Sequence, residues 1–490
     1  MKPPMPRVSR SMSARLLGHL GDLGVVDLLL DPTGAKARDG AMSYRMLQRT
    51  PGWYAETASK TFRLDMAGKT VIFTKDPAVY KAVLGSQKHH FTTSDGFRKV
   101  IEYFDENVLF ALKDKQWAHV RKVTTRAMAM QDLDGLPQSV GETIEKCIRR
   151  CPRHTTHHGI VVMEPEDVLP QATFDLFHKI MFKWDPDTVS NDADGMVLLR
   201  DAMTCASAMA ARSGVPLEWL WRLPLAANRK VDAARDALRV NTIAFIEKRL
   251  AVLARQADDE GASSVHDASL LDCMLVAAMD GKLTQAELVG QVLSFFFGAF
   301  ETTSYSIALM LNHVAAHPDV QDRLRADLHA AFPDGKASVT SLAALEQVEY
   351  LNWVFDETMR LVPHVFVVPR SCVTSCTIHG VTIDAGDEVL VDTLHASQDE
   401  ANYAGQTDLD QFRPERFGNV RLNKTATMPF GVGSRMCPGR KIATGELKAF
   451  LAYAVMGWKL TRPAGLPFLM DTSLGLGMRK GYGTLLWEPL

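Results

Sequence analysis

One cysteine near the C-terminus stands in a setting suited to thiolate chemistry or metal ligation. Cys437 follows a glycine-rich segment and precedes a helix predicted from Arg440 to about Met456. The N-terminus of a helix carries positive partial charge and unpaired N–H groups, which favour a thiolate over a thiol. Neighbouring glycines let backbone N–H groups approach the sulfur and tune its electron donation. These glycines are Gly431, Gly433 and Gly439.

A second group of chemically capable residues lies in a predicted helix. Gly298 weakens that helix, and the hydroxyls of Thr302 and Thr303 can compete for its backbone carbonyls. Together they can open the hydrogen-bond ladder and leave room for a small ligand or water. The Glu301 carboxyl can relay protons from solvent, and the Thr302 hydroxyl can hold dioxygen while it is protonated.

Two pairs of charged or aromatic side chains accompany these groups. Glu357 and Arg360 lie three residues apart on a predicted helix and can pair. Trp117 and Arg121 lie four apart and share another helical face. An exposed pair of this kind contributes little by itself, so the spacing alone assigns no function.

The segment Pro429–Arg440 resembles the haem-binding loop of the cytochrome P450 family. Its matching positions are Phe430, Gly431, Gly433, Arg435, Cys437, Pro438 and Gly439. The resemblance implies haem b as cofactor, with Cys437 as the axial iron ligand and Phe430 and Gly439 beside it. In this family the sulfur pushes electron density to favour O–O cleavage. A buried structural cysteine before a Pro-Gly turn is the alternative interpretation.

The other groups resemble further motifs of the same family, in the same chain order. Residues 298–303 are similar to its oxygen-activation motif, which implies catalytic roles for Glu301 and Thr302. Glu357, Arg360 and Arg416 take the places of a buried network that supports the haem loop. The resemblance implies contacts to the haem propionates from Trp117, Arg121, Arg370 and Arg435. The stretch after His395 matches the family's usual pattern only loosely.

The elements that must position these residues are mostly helices. Thr284 and Glu287 form a capping box that begins a helix predicted to reach His317, about 50 Å long. Short strands are predicted at 62–66, 70–74, 376–383 and 388–392, and further helices at 117–130, 319–332 and 348–362. Turn-rich stretches near 183–195 and 254–268 are predicted loops. We expect the mainly α cytochrome P450 fold, in which small peripheral β-sheets and a helical domain enclose the haem.

We expect two segments: an N-terminal region at 1–39 and a monooxygenase domain at 40–490. The first 21 residues carry four cations and no acid, which fits an organelle-targeting presequence or a solvated basic terminus equally. Leu16–Leu30 is too short and polar to span a bilayer alone. The location is therefore predicted as intracellular: membrane-associated, mitochondrial, or cytoplasmic if the N-terminus is not a targeting segment.

Bulk properties limit the partners. A net charge of −2 and the lack of a long basic stripe argue against nucleic-acid binding. Seven cysteines, an odd number in a long chain, favour a reducing compartment over a disulfide framework. A cluster at Cys147, Cys151, His154, His157 and His158 could bind zinc, but its spacing matches no common pattern, and a solvated loop or helix end is the simpler interpretation.

The predicted reaction is insertion of one dioxygen atom into a lipophilic substrate, a sterol, fatty acid, terpenoid or xenobiotic. Phe297, Phe300 and the segments 362–368 and 474–476 are predicted to border the substrate chamber, with His364 as a polar anchor. Since no flavin domain or dinucleotide-binding glycine motif is visible, a separate flavoprotein reductase or ferredoxin is expected. Arg440 and Lys441 could dock an acidic donor. A peroxide isomerase or peroxygenase, and a non-enzymatic haem sensor, are the alternatives.

Overall fold

The fold is mainly α-helical with small separate β-sheets, as predicted. A computed structural model describes residues 5–8, 42–66, 68–157, 159–213, 218–259, 268–403, 406–419, 426–472 and 475–490. The helices within these ranges are α1 Met42–Thr57, α2 Pro77–Lys81, α3 Asp95–Glu102, α4 Asp114–Ala129, α5 Leu136–Arg150, α6 Pro165–Met181, α7 Ala193–Ser213, α8 Glu218–Trp221, α9 Ala226–Asp259, α10 Leu270–Met279, α11 Gln285–Gly298, α12 Glu301–Ala316, α13 Pro318–Ala331, α14 Leu342–Gln347, α15 Glu349–Leu361, α16 Thr393–Ser397, α17 Arg416–Asn419 and α18 Arg440–Gly457.

The largest described sheet has five strands in the order β1-β2-β8-β5-β3, and only the β2–β8 pairing is parallel. Smaller sheets pair β6 with β7, β10 with β11, and β12 with both β4 and β9. The strands are β1 Thr61–Met66, β2 Lys69–Thr74, β3 Phe91–Thr93, β4 Val161–Met163, β5 Val367–Cys372, β6 Cys376–Ile378, β7 Val381–Ile383, β8 Glu388–Asp392, β9 Trp458–Thr461, β10 Met470–Thr472, β11 Leu476–Met478 and β12 Leu485–Pro489.

The long predicted helix is present but divided. Thr284 and Glu287 exchange hydrogen bonds at its start, with Thr284 N–H donating at 2.9 Å and Glu287 N–H at 3.1 Å. The helix breaks at Ala299 and Phe300, directly after Gly298, which confirms the predicted weak point. By length and composition Gln285–Ala316 could cross a membrane, but 78% of its most apolar window is buried in the protein. It is therefore a core helix.

This divided helix lies at the centre of the molecule. Helices α6, α15 and α18 and strand β11 all pack against α12, and the side chains there belong to one large apolar cluster. Burial of each large aliphatic side chain stabilises the fold by about 2 kcal/mol. Few apolar side chains of α12 reach solvent, so this burial holds the helix in place. The site residues on α12 are thus carried by a largely buried element of the fold.

Several predicted boundaries need correction. Residues 376–383 form the β6–β7 hairpin, because His379 and Gly380 both take positive φ, 48° and 85°, at a turn. Part of the loop predicted at 254–268 is helical, since α9 continues to Asp259. Residues 260–267, like the segment Leu16–Leu30, lie outside the described ranges.

Candidate active site

The segment Phe430–Gly439, here called the cysteine loop, is held by its own backbone. The Cys437 N–H donates to the Phe430 carbonyl at 2.8 Å. Gly431 and Gly433 take φ of +70° and +74°, a region that L side chains rarely adopt. A Cβ on Gly433 would lie 2.3 Å from the Leu84 carbonyl oxygen. Glycine at 433 is therefore required both for the turn and for the close approach of the neighbouring chain.

The Cys437 sulfur lies at the N-terminus of α18, as predicted. Burial raises the pKa of the Cys437 thiol above its ordinary value, while a hydrogen bond from the Gly439 backbone and the charge of Arg121 act to lower it. The Gly439 hydrogen bond and the charge of Arg121 thus act in favour of the thiolate, and burial outweighs them in the net shift. The thiolate at Cys437 stays a prediction. A Cβ on Gly439 would contact the sulfur at an ordinary 3.8 Å, so space does not require glycine there.

Two arginines flank this loop from different elements. Arg121, on α4, donates from Nη2 to the Met436 carbonyl at 2.5 Å. Arg435, in the loop, reaches the Leu112 carbonyl at 3.3 Å and places its guanidinium 4.1 Å from the centre of the Trp117 ring. Trp117 thus contacts the loop through a cation–π interaction with Arg435. The predicted W-x-x-x-R pair and the cysteine loop are brought together.

Arg370, on β5, is the third cation. Burial, followed by the charge of Arg435, lowers its pKa to about 10, and its Nη1 donates only to the adjacent Pro369 carbonyl at 2.8 Å. Burial likewise lowers the pKa of Arg435 to about 10. In the described part of the chain, no carboxylate forms an ion pair with Arg121, Arg370 or Arg435. The three arginines are half-buried, and their contacts are with backbone carbonyls and the Trp117 ring. Partly desolvated cations without a counter-ion are costly, so this cluster is suited to an anionic ligand.

The break between α11 and α12 presents polar groups in an otherwise apolar core. Gly298 is exposed and Thr302 is half-buried, whereas Glu301 and Thr303 are buried. The Thr302 hydroxyl donates to the Gly298 carbonyl at 2.9 Å, and the Ser306 hydroxyl donates to the Thr302 carbonyl at 2.8 Å. Gly298 and Thr302 are accessible although they lie in the middle of a core helix, which indicates interior space beside the break.

Sequence reasoning missed one residue at this break. Thr173, on α6, donates its hydroxyl to the Phe300 carbonyl at 2.9 Å. The same carbonyl accepts the Ser304 N–H at 2.9 Å, so the bond from Thr173 uses its second lone pair. Thr173 lies 127 residues from Phe300, and no motif connects the two positions.

The predicted supporting network forms as an interior cluster. The Glu357 carboxylate accepts Arg360 Nε at 2.7 Å and Nη2 at 2.9 Å, and also Arg416 Nε at 2.9 Å. All three side chains are fully buried. The remaining Arg360 donors bond the carbonyls of Ser397 and Leu409. The network joins α15 to the segments before the cysteine loop.

The residues predicted to border a substrate chamber have mixed surroundings. Phe297 and Phe300 are buried against Phe104 and Phe174, with ring centres 6.3 and 6.0 Å apart. His364 is buried, and its Nδ1 lies 2.7 Å from the Leu476 carbonyl. Burial lowers the pKa of His364 to about 4, so the ring is neutral. Leu474 lies outside the described residues.

His364 also stacks on Tyr305, which lies one turn beyond Thr302 on α12. The two ring centres are 5.6 Å apart and the planes differ by 13°. Burial, followed by the charges of Glu301 and Glu166, raises the pKa of Tyr305 above its ordinary value. Sequence reasoning did not single out Tyr305, because nothing in the motif marks it.

The candidate zinc cluster does not assemble. Cys147 and Cys151 are buried in and after α5, whereas His154 is half-buried, His157 is exposed, and the two rings contact each other. His158 lies outside the described residues. Among the described residues one other group could share an ion, Asp175, Asp185 and Asp187, but Lys146 already pairs there.

A haem fits the donor set of this site. Haem carries two carboxylates and an iron that accepts an axial thiolate. The cysteine loop offers one thiol, and the three arginines offer cations that have no carboxylate partner in the described chain. A mainly helical fold with these features defines a haem-thiolate oxidoreductase.

The family model described as Cytochrome P450 matches residues 41–481. This chain therefore belongs to the cytochrome P450 family, a family of haem-dependent monooxygenases. The predicted family, fold class and enzyme class are confirmed.

Curated relatives agree with this assignment. The chain is 36% identical over 172 residues to cytochrome P450 3A12 of Canis lupus familiaris, covering 34% of this chain and 33% of that protein. It is 38% identical over 172 residues to cytochrome P450 3A19 of Capra hircus aegagrus, covering 34% and 76%. It is 26% identical over 459 residues to probable cytochrome P450 4d21 of Drosophila melanogaster, covering 86% of each chain. The match to cytochrome P450 3A12 thus spans about a third of that relative's length.

Proposed function

We propose that this protein is a monooxygenase that inserts one atom of dioxygen into a lipophilic organic substrate, with electrons from a separate redox partner. The observation that carries this proposal is the meeting of Cys437 with three arginines, from a helix, a strand and a loop, that form no ion pair with a described carboxylate. A structural cysteine would not need such surroundings. Residues 40–490 form the monooxygenase domain in this proposal.

The residues that would hold the haem follow from the donor set. Cys437 would supply the sulfur that holds the iron, within a loop closed by the Phe430 carbonyl and the Gly439 N–H. Arg121, Arg370 and Arg435 would bind the two haem carboxylates. The group is haem b, because the sequence contains no Cys-x-x-Cys-His motif for covalent attachment. When bound, the haem supplies the redox chemistry that divides dioxygen between substrate and water.

The divided helix supplies the protons. The buried Glu301 carboxyl would relay protons into the core, and the half-buried Thr302 hydroxyl would pass them on at Oγ1. Hydrogen bonds from Thr302 to Gly298 and from Thr173 to Phe300 keep the break open. The reaction therefore uses the geometry of the break rather than an additional base.

The substrate class is a sterol, fatty acid, terpenoid or xenobiotic. The segment 362–368 is apolar apart from His364, and it leads into β5. Because the His364 Nδ1–H is committed to the Leu476 carbonyl, Nε2 is the ring's acceptor and the anchor for a polar group on the substrate. This segment would therefore offer the substrate few polar contacts.

The electron donor is a flavoprotein reductase or a ferredoxin that docks beside the cysteine loop. Arg440 and Lys441 are exposed at the start of α18, within four residues of Cys437. Their position and charge support contact with an acidic partner. All seven cysteines are free thiols, which supports an intracellular location, with the N-terminal 39 residues as a targeting or membrane-associating segment.

Isotope labelling tests this function. Turnover of a panel of lipophilic compounds under ¹⁸O₂, with reductase or ferredoxin supplied, should place one labelled atom in each product molecule.

Thr302→Ala should lower the yield of product per electron roughly tenfold and release peroxide. Thr302→Ser keeps a hydroxyl and should keep most of that yield. Turnover of peroxides without an electron donor would favour the isomerase or peroxygenase, and absence of any product would favour the haem sensor.

A further inference from the structure

We propose that Cys372 and Cys376 form a reversible intramolecular disulfide, which makes the turn between β5 and β6 a modification site for small-molecule disulfides such as oxidised glutathione. Neither residue belongs to the haem site. The proposal is independent of the monooxygenase reaction, because it concerns a thiol pair in the sheet region of the fold.

The geometry of the turn brings the two sulfurs together. Cys372 ends β5, Cys376 begins β6, and both side chains pack in one apolar cluster. The Cys372 sulfur also lies 3.2 Å from the Thr374 carbonyl and 4.0 Å from the Ile383 carbonyl. Ile383 is the register partner of Cys376 in the β6–β7 hairpin. Both sulfurs therefore point to one side of the turn, and a modest approach would bond them.

A second pair with the same spacing serves as an internal comparison. Cys147 and Cys151 are also four residues apart, and the Cys151 N–H donates to the Cys147 carbonyl at the end of α5. Both are buried, and they lie in and directly after a helix. The pair at 372 and 376 differs because it spans an extended turn between two strands.

Reagents can reach one member of the pair. Cys376 is half-buried and follows the exposed Val373, whereas Cys372 is buried. Because Cys376 is the more accessible of the two, it is the attacking thiol, and Cys372 is the resolving thiol behind it.

The exchange balances without a further oxidant. The Cys376 sulfur attacks oxidised glutathione, forming a mixed disulfide and releasing one reduced glutathione. The Cys372 sulfur then attacks the Cys376 sulfur, closes the protein disulfide and releases the second reduced glutathione. The two protons lost by the protein thiols end on the two glutathione thiols.

The disulfide would fix the end of a strand that belongs to the site. Cys372 follows Arg370 by two residues on β5, and its N–H donates to the Asp387 carbonyl at 2.8 Å. The Gly386 N–H returns a bond to the Cys372 carbonyl at 2.9 Å. Oxidation would therefore restrain the β5–β6 connection and raise the unfolding temperature by a few degrees.

Thiol mapping of the haem-loaded protein tests the proposal. The protein is equilibrated with mixtures of oxidised and reduced glutathione, alkylated after unfolding, digested and analysed by mass spectrometry. We expect a peptide pair linked through Cys372 and Cys376 that disappears with excess reduced glutathione, while Cys147 and Cys151 stay alkylated. Cys376→Ser should abolish both the link and the rise in unfolding temperature, whereas Cys147→Ser should change neither.

Two results would overturn the proposal. One is full alkylation of Cys372 and Cys376 after equilibration with oxidised glutathione alone. The other is a stable mixed disulfide on Cys376 that never closes onto Cys372. Both are read directly from peptide masses and do not depend on turnover.

Discussion

At the scale of single residues, the arginines are the most informative feature. Arg121, Arg370 and Arg435 were found in the sequence because they sit in separate motifs, yet their closeness is a property of the fold. Burial and mutual repulsion disfavour the cluster unless an anion joins it. These three arginines should therefore destabilise the haem-free protein and stabilise the protein with haem bound.

Charge removal at Arg121 should act in opposite directions with and without haem. We expect Arg121→Gln to release haem roughly tenfold faster, because a charge-assisted contact to a carboxylate is lost. The stability of the haem-free protein should stay within about 1 kcal/mol or rise, since a buried cation is removed. Haem transfer to an acceptor protein and chemical unfolding measure the two effects.

The exposed Arg126, also on α4, provides the matched control. Arg126→Gln should leave haem release unchanged. Equal haem release from both variants would contradict the assignment of Arg121 to a haem carboxylate.

Glu446 is a buried acid that sequence reasoning overlooked. It lies on α18 with 2% of its surface exposed, and no group in the described structure hydrogen-bonds its Oε1. Burial raises its pKa to about 8. Nothing in the sequence distinguishes it from a solvent-exposed helical glutamate, because burial is decided by how α18 packs.

Glu446 should make folding stability fall as pH rises. The folded protein keeps a proton up to about pH 8 that the unfolded carboxyl loses above its ordinary pKa of 4.5. The contribution of Glu446 to the free energy of unfolding is therefore fully present below about pH 4.5 and is lost as pH rises towards 8. Glu446→Gln should gain roughly 1–3 kcal/mol over the parent at pH 8 and little at pH 5.

Denaturant unfolding at the two pH values measures the Glu446 effect. The exposed Glu488 gives the control variant Glu488→Gln, which should shift stability little at either pH. A Glu446→Gln variant that is less stable than the parent at pH 8 would contradict the buried, neutral state of this carboxyl.

At the scale of elements, local signals predicted much of the fold. The capping box at Thr284 and the paired strands predicted at 62–66 and 70–74 appear where cap and turn chemistry placed them. The β6–β7 hairpin was read as one strand because alternation of side chains does not reveal the turn at His379. The end of α9 was missed because its polar residues resemble a loop.

The interior network on α15 should contribute strongly to stability. Glu357→Gln leaves Arg360 and Arg416 buried with no carboxylate between them, and should cost about 3 kcal/mol of unfolding free energy. Glu142→Gln removes an exposed partner of Lys179 and should cost less than about 1 kcal/mol. Denaturant titration of both variants gives the comparison, and similar values would contradict a structural role for the network.

At the scale of the whole molecule, the site is assembled from distant parts of the chain. The helix α4, the strand β5 and the cysteine loop contribute the three arginines, and α6 contributes Thr173 to the break in the central helix. The motif order predicted which elements take part. Distances, partners and burial could not be read from the sequence, because they depend on packing between elements more than 100 residues apart.

The central claim is that the Cys437 sulfur is the axial ligand of a bound haem. The ferrous–carbonyl spectrum of the purified protein tests it most directly. We predict the red-shifted absorption band of thiolate-ligated haem in the parent and in Cys273→Ser, and its loss in Cys437→Ser. Persistence of that band in Cys437→Ser, or a parent protein that binds no haem, would contradict the account.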